Sequence, residues 1–312
     1  MAAEFTEFHD ELRSVAGDVL SKDRVVDWPV LVEAGWVGLE VPEQFGGAGA
    51  TFAETAVICE EMGRAASANS YLGSAVLAVG ALNALQPSAT RDGLLADVAS
   101  WAVRVAVALE PFEFVPDAEG ADRILVIADG GVAEADVTTT MRPVLDETRR
   151  LATVTFDGPM AMSFQTEDDL RRLRDRAAVA VACDSLGISE AMLSATVAYA
   201  KVRQQFGRPI GSFQAVKHAC ADMQVHIAVA RQLVRAAIES VVHGRDDGAA
   251  SMAKSYACTA AVDIAGKAMQ LHGGIGYTWE SGIHVYLKRA ALNRSLFGSP
   301  AAHRKELAKR YV

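Results

Sequence analysis

The spacing of apolar residues changes twice along this chain, and those two changes limit its fold more than any other feature. From Phe5 to about Val98 the pattern is helical, rich in Ala, Leu, Glu and Arg, with one break at Val41, Pro42, Glu43, Gln44, Phe45, Gly46 and Gly47. Helices are expected to resume at Phe52 to Gly63 and at Tyr71 to Leu85, with Pro87 stopping the second. At Trp101 the period shortens: Trp101, Val103, Val105, Val107 and Leu109 are the large residues, and smaller or polar ones separate them. With Ile124 to Ile127, Val137 to Thr140 and Ala152 to Phe156, this predicts a small antiparallel sheet. After Thr166 the long helical period returns. Ala219, Met223, Ile227, Ala230, Val234 and Ile238 draw one apolar stripe along a helix. Two further stretches, about Ala249 to Leu271 and Gly282 to Arg310, complete a four-helix bundle. The expected fold is mainly α with a small β-domain: an N-terminal helical domain over 1–98, a reduced central β-domain over 99–162, and a C-terminal bundle over 163–312.

At 51% hydrophobic and 22% charged residues, the chain has apolar surface enough for a core and too little charge for disorder. The net charge of −9 disfavours wrapping a polyanion, so no nucleic-acid partner is expected. Cys59, Cys183, Cys220 and Cys258 stand singly, without the paired spacings of zinc ribbons or redox dithiols, and read as reduced thiols. Glu4, Glu7, Asp10 and Glu11 in the first turns argue against a secretory or transit segment. No apolar run reaches the roughly 20 residues of a membrane span. A cytoplasmic location away from membranes is therefore expected.

Several chemistries lack their signatures. Gly274, Ile275 and Gly276 resemble a dinucleotide fingerprint, but Trp279 occupies the third glycine position and a helix precedes it. Neither a Walker A loop nor a Gly-x-Ser-x-Gly elbow occurs. His218, Asp222 and His226 share one helix face, but a solvated polar face is the better reading, and no metal site is expected.

The run Tyr199-Ala-Lys-Val-Arg203-Gln-Gln205-Phe206-Gly-Arg-Pro-Ile-Gly-Ser-Phe-Gln214-Ala-Val-Lys-His218, followed by Ala221, Asp222 and Met223, closely resembles the signature of the acyl-CoA dehydrogenase family. Gln270, Leu271, His272, Gly273, Gly274, Ile275, Gly276, Tyr277 and Thr278 resemble a second family motif, and Gly35, Trp36 and Pro42 to Gly47 support the likeness near the amino end. The resemblance implies FAD as cofactor, an acyl-CoA substrate and an electron-transfer flavoprotein as acceptor. It assigns Arg203, Gln205, Phe206, Gln214, Gln270, Gly273 and Gly274 to the adenylate part of an FAD held in a neighbouring subunit. Their chemistry agrees: Arg203 offers a cationic fork for a pyrophosphate, Phe206 an aromatic face, the glutamines amides, and the paired glycines a close backbone approach.

Two departures concern one site. The family's proton-abstracting Glu follows an Arg-Asp-Ala run; here the run is Arg289, Ala290, Ala291, and Gly298 stands at the carboxylate position in Phe297, Gly298, Ser299, Pro300. The alternative family position corresponds to Ala177, and Glu280 precedes the usual place. Asp184 and Glu190 are nearby carboxylates, although exposed helix positions suit each better. The β-domain also passes almost directly from Leu109, Glu110, Pro111 to Ala121, Asp122, Arg123, without the family's excursion around the flavin ring. The expectation is a smaller, non-catalytic subunit that completes the FAD site of a full-length partner in an α2β2 heterotetramer. It resembles the split enzymes that actinobacteria use on steroid-derived acyl-CoA thioesters. The alternatives are a self-sufficient homo-oligomer whose base has moved to Asp184 or Glu190, and a flavin-free scaffold. The catalytic residue stays unassigned.

Overall fold

The computed structural model describes residues 2–128, 130–134 and 136–311. Its amino-terminal part comprises α1 (Ala2–Leu20), α2 (Trp28–Glu33), α3 (Phe52–Arg64), a π-helical turn over Leu72–Ala78 that runs into α4 (Val79–Ala84), and α5 (Ala89–Ala99). Local chemistry sets these boundaries. Thr51 and Glu54 form a reciprocal capping box at the start of α3, and the Ser88 hydroxyl accepts the Arg91 N–H at the start of α5. In the break before α3, a Cβ on Gly47 would lie 2.1 Å from the Val41 carbonyl oxygen, so only glycine lets the chain double back there.

The central part holds β1 (Val105–Leu109), β2 (Val115–Pro116), β3 (Arg123–Ala128), β4 (Gly131–Glu134), β5 (Asp136–Arg142), β6 (Leu151–Asp157) and β7 (Met162–Ser163). The strands form two sheets, β1-β3-β4-β7 and β2-β6-β5, rather than one antiparallel sheet. β1 and β3 run parallel, with Val107 opposite Leu125, because the connection from Glu110 to Asp122 crosses over and leaves β2 in the second sheet. The alternation of β1 reflects two cores, one on each face. Val105, Val107, Leu125 and Ile127 join the main core, while Ala106, Ala108, Ile124 and Val126 pack with Val115, Ala152 and Val154 in a second one. On β1 the valines face the helices and the alanines the neighbouring sheet, and both faces of β1 and β3 are buried. Trp101 is no part of the strand; it sits in a turn with φ +66° and is half exposed.

The carboxyl-terminal part contains α6 (Asp169–Val202), a two-stranded hairpin of β8 (Gln204–Gln205) and β9 (Arg208–Pro209), then α7 (Gln214–Val242), α8 (Ala249–His272), α9 (Ile283–Ser295) and α10 (Pro300–Ala308). The helix expected from Gly282 to Arg310 is broken between α9 and α10. Ser299 caps α10 by accepting the Ala302 N–H, and Pro300 occupies its first turn. On α7 the buried stripe runs Met223, Ile227, Ala230, Val234, Ala237, Ser240, with Ala219 and Ile238 half-buried at its margins. α6 is long and apolar enough to cross a membrane, contrary to the expectation that no such run exists. In this fold, however, 78% of its apolar window is buried inside the protein. It packs between α3 and α8 at the centre of the molecule. The mainly helical architecture with a small β-part is the one expected, and Cys59, Cys183, Cys220 and Cys258 are free thiols.

Candidate active-site and cofactor-binding surfaces

One end of the bundle presents the residues expected to serve a neighbour's cofactor. Arg203 terminates α6: its N–H donates to the Tyr199 carbonyl and its own carbonyl accepts the Ile210 N–H, which closes the β8–β9 hairpin. At the hairpin tip Phe206 (φ +52°) and Gly207 (φ +76°) are both left-handed, the geometry of a tight two-residue turn. Phe206 is 91% exposed, with only an edge contact to Phe213 at 6.1 Å between ring centroids. Arg208 stacks over the Phe213 ring at 4.2 Å and steadies the hairpin base. Arg203 and Gln205 are exposed beside it, and Gln214 is exposed at the first position of α7. No carboxylate pairs with Arg203 among the described residues.

The second segment lies at the end of α8. Gln270 is exposed and accepts a hydrogen bond from Lys267 at 2.9 Å. Gly273 ends the helix with φ +63° and ψ −142°, a conformation that glycine alone adopts freely. A Cβ added at Gly273 or Gly274 would meet no heavy atom within 4 Å, so the paired glycines border open space rather than packed protein. Tyr199 ties the two segments together: its ring stacks on His272 at 4.4 Å, and its hydroxyl donates to the His272 carbonyl at 3.4 Å. This joint lay within the quoted motifs, but nothing in the sequence signalled the contact. The open glycine cradle, the unpaired guanidinium and the exposed aromatic face suit the phosphates and adenine of a dinucleotide.

A cleft of about 890 Å³ opens elsewhere in the chain, with Val107, Leu109, Pro111, Leu292, Phe297 and Gly298 among its walls. Gly298, with φ +99°, offers no side chain there. Its carbonyl accepts from the Lys254 ammonium at 2.9 Å, which also donates to the carbonyls of Asn293 and Arg294. Burial lowers the Lys254 pKa, and no carboxylate pairs with the ammonium among the described residues. Lys254 escaped the sequence reading, although a lone cation in the apolar stretch Ala249 to Ala261 marked it out. Ala177 is fully buried in the main core.

The two carboxylates considered as substitutes are not exposed helix residues. Asp184 is 2% exposed and accepts from Arg289 at 2.6 Å, Arg149 at 3.0 Å and Asn293 at 2.6 Å. Burial opposes its charge, yet Arg289 and Arg149 outweigh burial and hold its pKa below the ordinary carboxylate value. Glu190 is mostly buried and ion-paired with Arg64 and Arg231. Glu280 is exposed beyond the turn that follows α8. His218 and Asp222 are exposed on α7, and the exposed His226 contacts the Tyr256 hydroxyl at 3.0 Å.

A helical amino-terminal part, a small β-part and a carboxyl-terminal helical bundle, in that order, are the architecture of an acyl-CoA dehydrogenase. Residues 1–100 match that family's N-terminal domain and residues 173–312 its C-terminal domain, and the chain belongs to the acyl-CoA dehydrogenase family, whose cofactor is FAD. Among relatives, acyl-CoA dehydrogenase IpdE2 of Mycolicibacterium smegmatis is 38% identical over 283 residues, covering 90% of this chain and 86% of that protein. A steroid acyl-CoA dehydrogenase variant, Tcur3481-Tcur3483, superposes with a TM-score of 0.88 at 26% identity over 97% of both chains. The ChsE4-ChsE5 complex from Mycobacterium tuberculosis has a chain of the same fold, with a TM-score of 0.86 at 22% identity over 97% of this chain and 96% of that one.

Proposed function

We propose that this chain is the non-catalytic subunit of a heteromeric acyl-CoA dehydrogenase and completes the FAD site of a full-length partner, as an α2β2 assembly. One asymmetry carries the reading. By the resemblance the family's base position falls on Gly298, and Asp184 and Glu190 are held in ion pairs, whereas Arg203 and Phe206 are exposed and Gly273 and Gly274 border open space. Arg203 would bind the pyrophosphate, Gly273 and Gly274 would let backbone N–H groups approach it, and Phe206, Gln205, Gln214 and Gln270 would orient the adenylate end. Bound FAD supplies the hydride acceptor for oxidation of an acyl-CoA to a 2,3-enoyl-CoA. The α-proton goes to a carboxylate of the partner, since this chain offers only a glycine at that place. Likeness to a steroid acyl-CoA dehydrogenase at 26% identity favours a bulky steroid-derived acyl group. An electron-transfer flavoprotein is the acceptor in this reading, and four free thiols suit a reducing compartment such as the cytoplasm.

The visible spectrum tests it, with FAD counted per chain in the protein alone and co-purified with a full-length homologue. The expected result is no flavin alone and about one FAD per pair of unlike chains. A stable yellow protein on its own, bleached by an acyl-CoA, overturns the reading.

A further inference from the structure

The cleft behind Gly298 contains a pair of groups that flavin chemistry does not use. Ser251 stands in the first turn of α8 and His303 on α10, and both line the cleft of about 890 Å³. The Ser251 hydroxyl lies 2.9 Å from His303 Nδ1, and His303 Nε2 lies 2.9 Å from the Phe297 carbonyl oxygen. A carbonyl only accepts, so Nε2 carries the proton and donates to Phe297. In the neutral ring Nδ1 is then the acceptor, and the serine hydroxyl donates to it. Nucleophile, base and a backbone group that fixes the base's tautomer and orientation are thus in line. Burial, with the charge of Lys254 and against the raising effect of the Phe297 hydrogen bond, lowers the His303 pKa and so favours the neutral ring, the form in which Nδ1 can take a proton.

Two further features complete the arrangement. Ala249 N–H is occupied by the Asp247 carboxylate and Met252 N–H by the Gly248 carbonyl. The N–H groups of Ala250 and Ser251, in the first turn of a 24-residue helix, have no protein acceptor among the described residues. They lie in the same helical turn as the hydroxyl and leave partial positive charge there that a negative oxygen could use. The second feature is Gly298 itself: a Cβ there would lie 2.9 Å from His303 Nε2. The residue that removes the family's carboxylate is also the residue that makes room for this histidine.

We propose that Ser251 and His303 form an acyl-transfer site for esters or thioesters with an apolar acyl group, which the walls of Val107, Leu109, Leu292 and Phe297 would hold. Ser251 Oγ adds to the carbonyl carbon while its proton passes to His303 Nδ1. The carbon–sulfur or carbon–oxygen bond then breaks, and the leaving thiol or alcohol takes that proton. Water, deprotonated by the same nitrogen, releases the carboxylic acid and restores Ser251, with no change of oxidation state. The proposal is independent of the FAD reading, because neither residue belongs to the dinucleotide surface.

The test treats the full chain with p-nitrophenyl butyrate and with a fluorophosphonate, then maps adducts by peptide mass spectrometry. Expected are a butyryl or phosphonyl adduct on Ser251 and nitrophenol release that His303→Gln slows about 100-fold. Ser251→Ala, shown folded by its thermal melt, is expected to abolish the adduct. Absence of any Ser251 adduct in the unmodified protein overturns the proposal without reference to a variant, as does an unchanged rate in His303→Gln.

Discussion

Asp117 is a carboxylate whose ionisation this fold resists. It is buried, adopts a left-handed backbone at φ +59°, and accepts the Gly73 N–H at 2.7 Å. Burial pushes its pKa up to about 6 against the lowering effects of that hydrogen bond and of Arg149, Arg289 and Arg150. The folded state therefore holds a proton that the unfolded state has lost between about pH 4 and pH 6. Its contribution is fully present below the unfolded value and is lost as pH rises through about 6. Asp117→Asn keeps an acceptor for Gly73 without the charge. Urea titrations are expected to show it more stable than the parent at pH 8, by up to about 3 kcal/mol, with little difference at pH 4. Asp184 has the opposite sign: its lowered pKa gives stability that is present above the unfolded carboxylate value and lost as pH falls through the folded one. Arg289→Met leaves Arg149 as its one remaining cation and should cost about 3–5 kcal/mol at neutral pH, read as a lower denaturant midpoint. This network was invisible in the sequence, where Asp184 reads as a surface helix carboxylate. Arg289 lies 105 residues away, and helical period reports which face is buried but not which charge waits there.

At the scale of elements, α3 and α6 cross where two glycines meet the opposite backbone. A Cβ on Gly63 would fall 1.9 Å from the Asp184 carbonyl oxygen, and one on Gly187 would fall 1.9 Å from that of Glu60. Neither neighbour is a flexible side-chain end, so Gly187→Ala must push the helices apart. A loss of about 3 kcal/mol or more is expected, seen as a Tm lower by roughly 6 °C or more. Gly266 in α8 is the control, since nothing lies within 4 Å of its added Cβ. Gly266→Ala should raise stability by about 0.5–1 kcal/mol through helix propensity alone. Element existence was legible because burial imposes a period: α3, α7, α8, β3 and β6 fall where the spacing puts them. Pairing was not legible to the same degree. The alternation across Val105 to Leu109 is the same whether the opposite face meets water or a second sheet, so the parallel β1–β3 pair escaped. The break between α9 and α10 is legible in Gly298, Ser299 and Pro300, where a capping serine and a first-turn proline restart the helix.

For the whole molecule, the surface proposed to meet FAD leaves large aromatics in water. Phe206 is held outward on a left-handed turn at 91% exposure, and Tyr277 and Trp279, just beyond the paired glycines, are 71% and 70% exposed. Large aromatics left bare at one end of a monomer gain nothing from the fold and mark a surface that something else covers. The motif residues were legible in sequence as a resemblance. The stacking of Tyr199 on His272, which brings their two segments to one end, required the structure. Arg203→Ala separates the readings of this surface. The side chain is exposed and makes no ion pair among the described residues, so the isolated variant should melt with its parent. In a complex with a full-length partner, loss of a charge-assisted contact to a pyrophosphate, about 1.5–3 kcal/mol, should weaken FAD binding about 10- to 100-fold. Equilibrium dialysis of the complex measures this directly. A scaffold that only packs against its partner would keep its flavin content unchanged, because in that case Arg203 touches no phosphate. A self-sufficient homo-oligomer would lose flavin from this chain alone, with no partner present, and the two outcomes cannot be confused.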